Sequence, residues 1–273
     1  MTILHAIILG IVQGLTEFIP VSSTAHLLIV EKILGVPSDS RTFAFSIIIQ
    51  LGTVAALLLF FAKDILQIIE AFFLGVKNRK PFENLNSRLG WLVLVATFPA
   101  LVVGFFLKDV VETMFKDPFT LAGIRLLITA MLLAAVEYFD RRVRTLESAT
   151  WQDALVVGMF QILAIFPGAS RSGSTIAGGM VRGFDRPSAA RFAFLMSAPI
   201  LLAAGAYQSI EVINMAGTID FLPTLITGSI TAGVVGWFSI KWLLNYLNKH
   251  SLYIFAIYCA LVGSILLLAQ ILQ

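Results

Sequence analysis

Two stretches decide how this chain folds: Gln13-Gly-Leu-Thr-Glu-Phe-Ile-Pro-Val-Ser-Ser-Thr-Ala-His26 and Pro167-Gly-Ala-Ser-Arg-Ser-Gly-Ser-Thr175. Each interrupts an apolar region, Met1–Leu34 in the first case and Trp151–Gly183 in the second. The apolar arms beside each break run to about a dozen residues, or about 18 Å as helix. A bilayer's hydrocarbon core is about 30 Å thick, so neither arm spans it. Irregular backbone at membrane depth is tolerated only where it is buried in protein or lines a wet cavity. Both regions therefore read as helix–loop–helix hairpins that enter the membrane and return.

The rest of the 273 residues fit that setting. Hydrophobic residues make up 58% and charged ones 13%, with 22 Phe, and the mean hydropathy is +0.91. A soluble domain carries about a quarter charged residues, so a water-covered globule is excluded. The net charge of +3 and pI near 9.1 are better spent on orientation in a bilayer than on nucleic acid, which is not an expected partner. Cys259 stands alone and forms no internal disulfide. No Lys or Arg precedes the first apolar run, so the first residues are expected to stay in the mature chain. Six stretches are long enough to cross: 43–61, 89–107, 119–136, 192–210, 221–240 and 252–272.

If both broken regions are re-entrant, the loops sort into two sets. One holds Lys63, Lys77, Arg79, Lys80, Arg88, Arg141, Arg142, Arg144, Arg182, Arg186, Arg191, Lys241 and Lys249; the other holds Lys32, Arg41, Lys108 and Lys116. Thirteen against four is a positive-inside bias that a full span at either break would destroy. It places both termini outside. The halves also echo one another: Gln13…Pro20-Val-Ser-Ser23 with Gln161…Pro167-Gly-Ala-Ser170, Thr42-Phe-Ala-Phe45 with Arg191-Phe-Ala-Phe194, and Val102-Val-Gly-Phe-Phe106 with Val234-Val-Gly-Trp-Phe238. The expected fold class is an all-α polytopic membrane protein of two inverted-topology repeats. Residues 1–139 and 140–273 each supply a re-entrant hairpin (1–34, 151–183) and three spans, in one membrane domain. The long loop Lys63–Arg88 has only a short counterpart in the second half.

Polar side chains concentrate in the two breaks: Gln13, Glu17, Ser22, Ser23, Thr24 and His26 in one, Ser170, Arg171, Ser172, Ser174 and Thr175 in the other. Charges at membrane depth are costly and tend to be paired or functional. Gln13 and Glu17, four apart, share a helix face. A carboxylate, an imidazole and a hydroxyl together make a general-base and nucleophile set, and Arg171 offers a phosphate a planar fork of donors. The alternative is an ion pair that merely closes the two loops. Ser46 and Ser197 read as bonding the preceding turn, and Gly10, Gly158, Gly178 and Gly179 as close-packing positions. Arg125, about 9 Å into its helix, reads as snorkelling or carboxylate-paired rather than as a substrate contact.

The two quoted strings resemble the signature motifs of the bacterial undecaprenyl-diphosphate phosphatase family, also called bacitracin-resistance proteins. The resemblance extends over the whole chain and includes Gln50-Leu-Gly52. It implies a phosphatase of the bacterial plasma membrane that converts undecaprenyl diphosphate to the monophosphate carrier for peptidoglycan synthesis, with its active site opening outside. By that resemblance Glu17, Ser23, His26 and Arg171 are the catalytic set, and Gln13, Ser22, Thr24, Gln50, Ser170, Ser172 and Thr175 contact substrate. Gln13 stands where many members have Glu, so a divalent cation (Mg or Ca) has no clear ligand set. Ala25, where Gly is common, is expected to limit the turn before His26. The implied partners are the polyprenyl diphosphate lipid and the bilayer, and a homodimer is left open.

The mechanism expected has Arg171 and loop amides holding the diphosphate while Ser23, or a water activated by His26, attacks the terminal phosphorus. Glu17 is expected to orient His26. The rival class is a transporter or flippase of the lipid carrier, since inverted repeats with broken helices are also a transporter layout. An ion channel finds little support, because no span carries a row of polar residues.

Overall fold

The structure, a computed structural model, describes residues 1–107, 118–139, 143–165, 169–213 and 218–272. Lys108, Lys116, Arg141 and Arg142 of the loop count, and Pro167 and Gly168 of the second motif, lie outside the described residues. Among those described, the chain forms eleven α-helices and no strand: α1 (Ile3–Thr16), α2 (Ser23–Ile33), α3 (Ser40–Phe60), α4 (Ala62–Lys77), α5 (Leu85–Phe106), α6 (Pro118–Tyr138), α7 (Trp151–Ile162), α8 (Arg171–Val181), α9 (Arg186–Ile213), α10 (Thr218–Leu247) and α11 (Tyr253–Ile271).

Six of these, α3, α5, α6, α9, α10 and α11, contain stretches long and apolar enough to cross a membrane, and they fall on the six expected spans. The protein is therefore a multi-pass membrane protein. Large apolar side chains such as Phe43, Leu59, Phe105 and Ile265 are 63–80% exposed on these helices, as suits surfaces solvated by lipid. The four helices at the two breaks are shorter: 14 and 11 residues for α1 and α2, 12 and 11 for α7 and α8. At 1.5 Å per residue each is about 16–21 Å long, below what a bilayer requires.

Local chemistry starts the helices where they start. Thr2, Asp39, Asn84 and Ser170 accept backbone N–H groups of His5, Thr42, Ser87 and Gly173. Thr150 and Asp153 cap α7 reciprocally. Each cap satisfies an N–H that the helix itself leaves without a partner. The segment 62–77, expected as part of a long loop, is instead the helix α4, packed on α5. Its Phe72 ring lies against Gly90 and Trp91, and that contact holds the segment as a helix.

Packing crosses between the halves. Helix α1 packs on α10 and α7 on α5; α3 also packs on α10, and α6 on α11. Small residues let the backbones approach, the usual device where lipid offers no hydrophobic drive for helix association. A methyl on Gly10 would lie 2.7 Å from the Gly228 carbonyl oxygen, and one on Gly158 would lie 2.4 Å from that of Ala96. These contacts correspond through the sequence echo: Gly10 to Gly158 by the spacing of the hairpin motifs, and Ala96 to Gly228 by that of the Val-Val-Gly strings. Gly178 and Gly179 are equally confined, by Phe160 and Ala189.

Two ion-pair clusters tie helix ends together. Asp153, fully buried, receives Arg144 at 3.0 and 2.6 Å and Arg182 at 2.6 Å. Glu137 receives Arg186 at 2.6 Å and the Leu252 backbone N–H at 2.6 Å, joining α6, α9 and α11.

Candidate active site

The first hairpin turns between α1 and α2, and Glu17 is the residue that closes α1. Its carboxylate accepts three hydrogen bonds: Gln13 Nε2 at 2.9 Å and Ser23 Oγ at 2.7 Å on Oε2, and Arg171 Nη2 at 2.6 Å on Oε1. The first donor follows from i,i+4 spacing on α1. The second needs the chain to double back within six residues, which Pro20 and Ser22 accomplish. Ser22 sits at φ +69°, a left-handed conformation that is strained for a residue with a Cβ and recurs at functional sites. The third donor comes from the other hairpin, 154 positions away, at the first residue of α8. Ser172 Oγ adds a second tie, donating to the Ile19 carbonyl at 3.3 Å. The expected meeting of the two breaks is thus formed.

A cavity of about 230 Å³ opens over this pair. It is lined by Glu17, Ser22, Ser23, Thr24, Gln50, Ser170, Arg171 and Ser172, together with Arg125 and a few small apolar residues. Arg171 Nη1 is buried and has no protein partner among the described residues, so one arm of the guanidinium remains to donate. Gln13 lies behind the cavity, fully buried, with Oε1 unpartnered.

Four expectations are corrected. Glu17 does not contact His26. The imidazole Nδ1 lies 2.9 Å from the Ser22 carbonyl and Nε2 lies 2.7 Å from the Tyr258 hydroxyl on α11, with the two rings stacked. A carbonyl only accepts, so Nδ1 carries a proton and the neutral ring's Nε2 accepts from Tyr258. Thr175 faces away from the cavity: it is fully buried and its hydroxyl bonds back to the Arg171 carbonyl at 2.8 Å. Ser46 donates across helices to Glu31 at 2.7 Å, whereas Ser197 does bond the preceding turn, at Ala193. Ala25 lies within the first turn of α2, and the strain of the turn falls on Ser22.

Arg125, expected to snorkel or to pair with a carboxylate, is 9% exposed and lines the cavity. Its depth in an apolar helix says nothing of the direction it faces. Tyr258 had no sequence signal at all, being one aromatic in an apolar run.

A divalent ion held between two carboxylates does not fit this donor set. Among the described residues Glu17 is the single carboxylate lining the cavity, its neighbour along α1 is an amide, and a guanidinium already faces it at 2.6 Å.

Fold and site together define a polytopic helical membrane protein with an ion-paired polar site buried between two short-helix hairpins. Residues 6–265 match the family described as Bacitracin resistance protein BacA. The chain belongs to that family. It is 43% identical over 275 residues to an undecaprenyl-diphosphatase of Chloroherpeton thalassium, covering 98% of this chain and 96% of the relative. It is 42% identical to one of Myxococcus xanthus (98% and 89%) and 39% identical to one of a Mycobacterium species (98% and 96%).

Proposed function

We propose that this chain is an undecaprenyl-diphosphate phosphatase, and that the cavity between the hairpins is where the terminal phosphate is removed. The observation that carries the reading is the Ser23–Glu17–Arg171 chain, which sets a hydroxyl, its base and a phosphate-binding cation along one carboxylate. A pure anion carrier needs the cation and not the hydroxyl–carboxylate pair, which sets the flippase alternative aside.

The chemistry breaks the bond between the terminal phosphorus and the bridging oxygen. Arg171, with its Nη1 donor, and the N–H groups opening α8 hold the terminal phosphate. Ser23 Oγ, or a water in its place, attacks the phosphorus and passes its proton to Glu17 Oε2. The bridging oxygen leaves on the lipid monophosphate, and if serine attacks, water then hydrolyses the phosphoserine to inorganic phosphate. His26 acts as a positioning residue, holding the strained Ser22–Ser23 turn through the Ser22 carbonyl. Catalysis here is positioning and charge stabilisation in a water-poor site.

The repeats are inverted and the hairpins re-entrant, in this reading, with both termini and the site opening outside the cell. The loop charge bias and the paired contacts Gly10–Gly228 and Gly158–Ala96 support it. Removing the lipid's terminal phosphate would regenerate the carrier for wall synthesis, and it would deplete the diphosphate form that bacitracin resistance concerns.

Phosphate release from undecaprenyl diphosphate by the purified protein tests the assignment. Glu17→Gln and Arg171→Ala are each expected to lower kcat by about 100-fold or more, the scale set by losing one preorganised charge contact. Wild-type protein that releases no phosphate, or Glu17→Gln that keeps the full rate, overturns it. Rapid quench that traps phosphoserine at Ser23 assigns the nucleophile to serine, and its absence during turnover assigns it to water.

A further inference from the structure

We propose that Arg125 holds the phosphate that stays on the lipid, so that the site reads a diphosphate with one guanidinium for each phosphate. The proposal rests on the phosphatase reading above and adds the residue that separates a diphosphate from a single phosphate.

Arg125 lies in α6, a mostly apolar span, and is 9% exposed. A guanidinium keeps its charge at any working pH, so its place at that depth requires a polar environment or an anionic ligand. The structure puts it on the wall of two neighbouring cavities. One is the 230 Å³ cavity of Glu17, Ser23 and Arg171. The other, about 360 Å³, has a mixed wall, with Leu27, Ile47 and Leu121 among its apolar side chains and Glu31, Asp39 and Ser46 among its polar ones. Thr24 and Gln50 line both as well. Arg125 therefore stands on the wall shared by the polar chamber and a second one that adds apolar side chains to polar ones.

A polyprenyl diphosphate has the same order of chemistry: terminal phosphate, second phosphate, then hydrocarbon. With the terminal phosphorus between Ser23 and Arg171, the second phosphate falls at Arg125 and the first prenyl carbons against the apolar side of the second chamber, at Leu27, Ile47 and Leu121. Arg125 then faces the bridging oxygen, which gains negative charge as the bond breaks, where a fixed cation contributes most.

The frame that holds the two arginines is a short hydrogen-bond relay. Thr129, one turn beyond Arg125 and fully buried, donates its hydroxyl to the Arg125 carbonyl at 2.8 Å. The Thr129 hydroxyl oxygen in turn accepts the Ser170 backbone N–H at 2.9 Å. Arg125 and Arg171 are thereby fixed relative to each other across α6 and α8, which suits two charges that grip adjacent groups of one ligand.

The test compares two probes, farnesyl monophosphate and inorganic phosphate, by the rise in melting temperature each gives in detergent solution, which needs no turnover. Phosphate release from farnesyl diphosphate by the wild type serves as the control. If it is absent, the phosphatase reading fails by itself. Arg125→Gln is expected to weaken the lipid monophosphate about tenfold or more, the worth of a lost charge-assisted hydrogen bond, while inorganic phosphate stays within about twofold. Arg125→Lys, which keeps the charge and loses the fork, is expected to show the same selectivity in smaller measure, and it decides the matter if the Gln variant does not fold. Unchanged affinity for the lipid monophosphate, or equal weakening of both probes, overturns the proposal.

Discussion

Ser22 and His26 show how the site keeps its geometry. The Ser22 backbone at φ +69° is costly for a side-chain-bearing residue, typically by about 1–3 kcal/mol, and persists because its carbonyl is held by His26, which is held in turn by Tyr258. Tyr258→Phe is accordingly expected to lower kcat about tenfold, the scale of one buried hydrogen bond, with KM little changed. Tyr258→Phe in a His26→Ala background is expected to cost nothing further. Steady-state kinetics of the four forms checks this, and a full additional loss would place Tyr258 outside the relay. At this scale the sequence was legible where chemistry is local: Gln13 and Glu17 share a helix face by spacing, and Ser170-Arg171-Ser172 announces an anion site. Tyr258 was not legible because it lies 232 positions from its partner, and Arg125 was not because helix depth carries no direction.

At the scale of helices, the hairpin α7–α8 is anchored by Asp153. Burial pushes its carboxyl up, but the Arg144 and Arg182 guanidiniums and the Thr150 cap outweigh burial and hold it well below the usual range. A carboxyl lowered by folding stabilises the fold above its unfolded value, about 3.9 for Asp, and that stability is lost as pH falls through the lower folded value. Asp153→Asn should therefore cost about 2 kcal/mol at neutral pH, the scale of lost hydrogen bonds to a charged group, because the Arg144 and Arg182 left behind are 27% and 36% exposed and regain water. The gap in melting temperature between wild type and variant should hold constant from neutrality to about pH 5 and close only below about pH 4. A gap that closes near neutrality would contradict the pairing. All six spans were readable from apolar length alone. Helix α4 was not, because its basic end, Lys77 to Lys80, reads as a loop, and the helix is held by tertiary contact of Phe72 with Gly90 and Trp91.

At the scale of the whole molecule, each half's hairpin packs on the other half's middle span, so neither half completes a site alone. If the repeats are inverted as proposed, the loop at Ser38 faces outside and that at Asn78 faces the cytoplasm, both being exposed. In intact cells a membrane-impermeant maleimide should label Ser38→Cys directly and Asn78→Cys only after permeabilisation; native Cys259 is buried. The reverse pattern would refute the orientation. The central claim is that Glu17 from one hairpin and Arg171 from the other form a single catalytic unit. The direct measurement is phosphate release from undecaprenyl diphosphate by wild type, Glu17→Gln, Arg171→Ala and the double variant. Groups that act as one unit are strongly non-additive, so the double variant should be no slower than the slower single one. Losses that multiply would show two independent contributions and contradict the shared site.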